Sequence, residues 1–138
     1  MSFNVFLQCF EKGESSGLPR EEIRRLLPIV VAESEHDRWS IRYDDLNGCD
    51  IYVSALDTDQ SLITSMMVSQ PCAKIQLWEA LFAVMKMGPV VLYFPGNAPP
   101  LVVNDQVERD LPREMVEALG PPKVIGRAEE IVEIIKGA

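Results

Sequence analysis

The stretch from Pro71 to Phe94 constrains the fold more than any other part of the chain. Ile75, Trp78, Phe82 and Met85 recur at helical spacing, and Leu77, Leu81 and Val84 widen the apolar stripe. Pro71 opens this helix, and Gly88-Pro89 stops it near Met87. The continuous apolar run Val90 to Phe94 follows at once and reads as a strand central in a sheet. A helix with so wide an apolar stripe belongs packed against that sheet.

The remaining periodicities supply the other layers. Phe3, Val5, Leu7 and Cys9 alternate along residues 3–10, with Phe6 and Phe10 adding apolar groups to the opposite side. The run 13–17 (GESSG) is a turn. Pro19 stands at a helix start, Glu21 and Glu22 occupy its first turn, and Ile23, Leu26 and Leu27 make its stripe before Pro28 ends it. Residues 38–55 alternate as a hairpin, with Trp39, Ile41 and Tyr43 sharing a face with Cys49, Ile51 and Val53, and Asn47-Gly48 between them as turn. Parity then predicts Arg42 opposite Asp50 and Ser40 opposite Tyr52. Residues 61–69 form a further strand. Beyond the loop 95–100, an extended piece at 101–103, a helix from Pro112 to Gly120, a small strand near Val124 and Ile125, and a last helix over about 127–136 complete the chain. The order β-α-β-β-β-α-β, with tight turns between neighbouring strands, predicts one α+β domain over residues 1–138. Its sheet is mixed or largely antiparallel, and its helices pack mainly on one face. A chain of 138 residues with 47% hydrophobic content buries roughly two thirds of its unfolded surface, so it needs neither metal nor disulfide to hold a core.

Charge is unevenly spread. The chain carries a net charge of −8, and residues 33–59 alone hold eight acids against Arg38 and Arg42. Nucleic-acid binding draws on clustered Lys and Arg, so this balance argues against a nucleic-acid partner and for a basic protein. The three cysteines, Cys9, Cys49 and Cys72, are odd in number and lack CxxC spacing. That excludes a disulfide framework as the expectation, argues against a zinc site, and fits a reducing compartment. Cys9 and Cys49 read as small buried hydrophobes. The N-terminus lacks a signal-peptide pattern and no apolar run approaches the roughly 20 residues of a membrane span. The expected location is cytoplasmic, without membrane association.

His36, the only histidine, sits in a polar run and reads as an exposed loop residue. Asp44-Asp45 and Asp57-Thr58-Asp59 could serve acid–base chemistry or hold a divalent cation, yet the calcium-loop pattern is absent and Asp is equally a turn former. Pro95-Gly96 lacks the Lys and glycine pattern of a phosphate loop. The combination of Trp39, Tyr43 and Tyr52 with neighbouring acids has the composition of a protein-binding patch. With Trp39 and Tyr43 assigned to the inner face, the partner-binding candidates are Glu33, Glu35, Asp37, Asp44, Asp45, Tyr52, Asp57 and Asp59. No catalytic residue, metal ligand or cofactor is assigned.

In size, charge, the starting strand MSFNVFLQCF and the helix–strand block LWEALFAVMKMGPVVLYFPG, the chain resembles the small acidic immunity proteins that neutralise bacterial polymorphic or secreted toxins. It also resembles uncharacterised small bacterial proteins with such blocks. The resemblance implies a cytoplasmic, non-enzymatic inhibitor that occludes the basic active site of a cognate toxin through an acidic surface. Two alternatives stay open: a small carboxylate-dependent enzyme, and a self-associating structural or regulatory subunit using Met66, Met67, Met85 and Met87.

Overall fold

The structure, a computed structural model, describes residues 3–27, 30–33 and 37–137. Strand β1 (Asn4–Glu11) leads through two short strands, β2 (Glu14–Ser15) and β3 (Leu18–Pro19), into helix α1 (Arg20–Leu26). Strands β4 (Val30–Glu33), β5 (Arg38–Asp44), β6 (Asn47–Leu56) and β7 (Asp59–Ser69) follow as a meander. Helix α2 (Ile75–Met85) precedes β8 (Val90–Tyr93) and β9 (Leu101–Val102). A 3-10 helix (Asp105–Asp110), α3 (Arg113–Leu119), β10 (Lys123–Val124) and α4 (Ala128–Gly137) close the chain. The fold is α+β.

The strands form one open sheet in the order β10-β9-β8-β1-β7-β6-β5-β4, with β2 attached to β1 and β3 to β7. Every pairing is antiparallel except β9 with β10. The first strand therefore lies between β7 and β8 and joins the two halves of the chain. Its odd residues Val5, Leu7 and Cys9 are buried together with Trp39, Ile41, Ile51, Val53, Met66, Val68 and Leu92 on one face. Helices α1, α2 and α4 cover that face through Ile23, Leu77, Trp78, Leu81, Ala128, Ile131 and Ile135. On the other face a small second core of Phe10, Val91, Val102, Val107 and Leu111 lies under the 3-10 helix and α3. The helix cover is thus concentrated on one side, as the patterning predicts.

The β5–β6 hairpin departs from its expected register. Arg38 lies opposite Tyr52, Ser40 opposite Asp50, and Arg42 opposite Gly48. The predicted Arg42–Asp50 pair therefore does not form; Ser40 Oγ donates to Asp50 Oδ1 at 2.7 Å instead. The shift is two residues, which preserves the face of every side chain, so the parity holds while the partners change. The cause is the turn. Asp45 and Leu46 form it, rather than Asn47 and Gly48, and neither takes the positive φ that the tight primed turns require. Asp44 Oδ1 accepts from the Leu46 amide and from Asn47 Nδ2, both at 2.9 Å. An irregularity between Arg42 and Asp44 absorbs the extra residue, Tyr43.

Gly48 is not a turn residue but a strand residue opposite Arg42. A Cβ placed there would lie 2.9 Å from the Ile41 carbonyl oxygen, so the strands approach too closely at the irregularity for a side chain. Gly48→Ala is expected to lower stability by about 1–3 kcal/mol, measured by urea denaturation; an unchanged midpoint would show that the hairpin opens without cost.

Helix α2 is shorter than its pattern suggests. Lys74 has extended backbone (ψ 127°) and the helix starts at Ile75, while the Lys74 side chain pairs with Asp44 at the hairpin tip. Among the described residues, no helix is long and apolar enough to cross a membrane.

Candidate functional site

The even-numbered face of β1 continues across the sheet as an open surface. Phe6 is opposite Tyr93 on β8 and Met67 on β7; Met67 is opposite Tyr52 on β6, and Tyr52 opposite Arg38 on β5. Tyr93, Phe6, Met67, Tyr52 and Arg38 thus form one row over five strands. The Phe6 and Tyr93 rings stack with centroids 5.3 Å apart and planes 15° off parallel. Tyr93 Oη donates to Gln8 Oε1 at 3.0 Å, which fixes the ring, and burial pushes the Tyr93 hydroxyl above its ordinary pKa. Tyr52 is 38% exposed, the most exposed apolar body in this row. Polar rows flank it: Gln8, Ser65 and Ser54 on one side, Asn4, Ser69, Asp50 and Ser40 on the other.

Two hollows open on the same face. One, of about 490 Å³, lies by the hairpin tip, with Ser40, Arg42, Asp45, Leu46 and Asp50 in its wall. The other, of about 470 Å³, lies beside Phe6 and Tyr93 and is completed by Pro95, Gly96, Asn97 and Leu119. Pro95-Gly96 is thus the wall of an apolar hollow; Gly96 has a positive φ of 134°, which suits glycine at that bend.

The eight candidate residues do not form one patch. Asp44 and Asp45 sit at the hairpin tip, whereas Asp37, Asp57 and Asp59 lie at the opposite end of the same strands. The backbone of Glu33 is opposite Trp39, at the Asp37 end. Tyr52 lies between the two ends, on the open face. Glu35, and with it His36, falls outside the described residues.

Several of these acids already have partners. The Asp37 carboxylate accepts from Arg20 Nη1 at 2.9 Å, and Arg20 Nε also donates to the Gln60 carbonyl at 2.9 Å. Asp44 pairs with Lys74 Nζ at 3.1 Å. Asp59 accepts from the Ser61 hydroxyl and amide, which lowers its pKa. Asp45 and Asp57 make no ion pair among the described residues. With Arg42 and Lys74 beside Asp44, Asp45 and Asp50, charge at the tip nearly cancels. At the other end Asp57 and Asp59 stand in the β6–β7 turn, and Glu11 and Glu14 face each other toward the same end of the sheet.

Asp44 is held down to about 2, first by the Asn47 side-chain amide, then by the Leu46 N–H and by Lys74. A depressed folded value means that its contribution to stability is present above the ordinary carboxylate value near 3.8. That contribution is lost as pH falls through about 2. A carboxyl NMR titration should therefore give Asp44 a midpoint near 2, and Asn47→Ala should move that midpoint upward. A midpoint at the ordinary value in the intact protein would mean that the turn is not closed in solution.

The carboxylates that could have met in one pocket, Asp44 and Asp50 on one side and Asp57 and Asp59 on the other, fall at opposite ends of the sheet. Among the described residues, no three His, Cys, Asp or Glu side chains converge as a metal cage requires. Met66 and Met85 are core, and Met67 lies half-buried on the open face.

Three features are not evident from the sequence alone: the open face that Phe6 joins, the place of Met67 on it, and the exposure of Leu46. Phe6 and Met67 belong to the open row, and Leu46 stands 93% exposed at the hairpin apex. The even parity of Phe6 was the one available signal. Cys9 is buried, but Cys49 and Cys72 are only half-buried. Burial pushes the Cys49 thiol up to about 12 and the nearby Tyr43 hydroxyl up to about 12 as well.

Compared with known proteins, the chain matches no protein-family model, no curated protein and no solved structure.

Proposed function

We propose that the chain is a binding protein whose open sheet face receives a protein partner. The observation that carries this reading is the row Tyr93, Phe6, Met67 and Tyr52. It sets four apolar or aromatic bodies side by side on a face that the 3-10 helix and α3 cover only at its β8–β9 side. Aromatic anchors ringed by polar groups are the usual composition of interface hot spots. The acidic turns around Asp57, with Glu11 and Glu14, lie at one end of that face and favour a partner with basic residues there.

The partner class that fits is a cognate toxin with a basic active site, neutralised in the cytoplasm by occlusion. The acidic end speeds encounter, and the apolar row supplies lasting contact. Co-expression with the product of the neighbouring gene tests this directly. The two proteins should copurify, and loss of this chain should harm cells in which the neighbour is active. If nothing copurifies and the loss is harmless, the reading is wrong.

A further inference from the structure

Cys49 and Cys72 are far apart in sequence but share one packing site. Asp50 is opposite Ser69, so β6 and β7 run side by side to this end of the sheet. The chain then turns away at Gln70, whose φ is 49°. Extending the β6–β7 register places Cys49 beside Gln70, and two residues later the chain passes beneath the hairpin, where Cys72 acts electrostatically on both the Cys49 thiol and the Tyr43 hydroxyl. Both side chains pack against the main core together with Tyr43. The Asp44–Lys74 ion pair, at 3.1 Å, is a further contact between the hairpin and the segment that carries Cys72.

We propose that Cys49 and Cys72 form an oxidation site, where a peroxide converts two neighbouring thiols into a reversible disulfide tying the β5–β6 hairpin to the segment that leads into α2. The inference does not depend on the partner-binding reading. Cys9 is excluded from the bridge, since it is buried on β1 opposite Val90, beside Ser16.

The chemistry balances in two steps. Burial keeps the Cys49 thiol protonated at neutral pH, so Cys72, on the loop, meets the peroxide first. Its thiolate attacks one peroxide oxygen, the O–O bond breaks, and Cys72 becomes a sulfenic acid while hydroxide leaves and is protonated to water. The Cys49 sulfur then attacks the Cys72 sulfur. The S–S bond forms, the S–O bond breaks, and the departing hydroxide takes the Cys49 proton as a second water. Two thiols lose two electrons, and one peroxide is reduced to two waters.

The test uses the purified full chain and hydrogen peroxide. Trypsin releases residues 43–74 as one peptide, which holds both cysteines and no internal Lys or Arg. After oxidation this peptide should be lighter by two hydrogens and resist alkylation, and a dithiol reductant should reverse both changes. The peptide carrying Cys9 should alkylate normally once unfolded. Cys49→Ser should stop at a Cys72 sulfenic acid that dimedone traps. The oxidised wild type should melt at a higher temperature than the reduced form, with no such gain in Cys72→Ser, whose half-exposed site leaves the core intact. Wild-type protein in which Cys72 is oxidised while Cys49 still alkylates would overturn the proposal. So would a bridge to Cys9, a bridge between two chains, or a lower melting temperature after oxidation.

Discussion

Replacement of Leu81 by alanine is expected to lower the free energy of unfolding by about 2–5 kcal/mol. Leu81 is fully buried at 0% exposure, in the middle of α2 and in the same cluster as Leu7, Ile51 and Ile131. Two costs add. The missing methyl groups lose their transfer energy, and the space they leave cannot close fully, because α2 is confined between the sheet and α4. Domains of this kind are stable by only about 5–15 kcal/mol, so one substitution removes a large share. Thermal melting should fall by roughly 10 °C. Val124→Ala, at a position 48% exposed on β10, is the matched control and should stay within about 0.5 kcal/mol of wild type. Equal losses at the two positions would mean that α2 does not sit on the sheet as described.

The second large effect concerns binding. Tyr52→Ala is expected to weaken the complex with the proposed partner by about 30-fold or more, the range of an interface hot spot. Tyr52 stands within the open row, with Met67 opposite on β7 and Arg38 opposite on β5. Because it is 38% exposed, its truncation leaves the free protein nearly as stable as before, so the loss is readable as binding. Asp57→Lys should act differently. Its charge lies at the acidic end of the face and makes no ion pair among the described residues, so reversal should slow association and alter its salt dependence more than it speeds dissociation. Association and dissociation rates measured by surface plasmon resonance separate the two. An unchanged dissociation rate for Tyr52→Ala would remove the sheet face from the interface while leaving a binding role intact.

The acidic stretch at 33–59 illustrates how linear composition misleads about a surface. Its acids are close in sequence, but the meander carries Asp44 and Asp45 to one end of the strands and Asp37, Asp57 and Asp59 to the other. Asp37 and Asp44 are then neutralised by Arg20 and Lys74, from segments before and after the stretch. Glu11 and Glu14, outside the stretch, lie toward the same end of the sheet as Asp57.

The sequence by itself determined which faces are buried and where the main helix lies. Ile75 to Met85 follow the helical period, and Trp39, Ile41, Ile51 and Val53 follow the strand period; both patterns are local and survive whatever the chain does elsewhere. Only the tertiary structure decided the hairpin register, the place of β1 between β7 and β8, the open row from Tyr93 to Arg38, and the meeting of Cys49 with Cys72. A slip of two residues leaves every side chain on its own face, so the patterning cannot detect it, and here the hydrogen bonds of Asp44 in the turn chose the register. Strand order depends on pairings between distant segments, such as Phe6 with Tyr93, and no short window of sequence carries them.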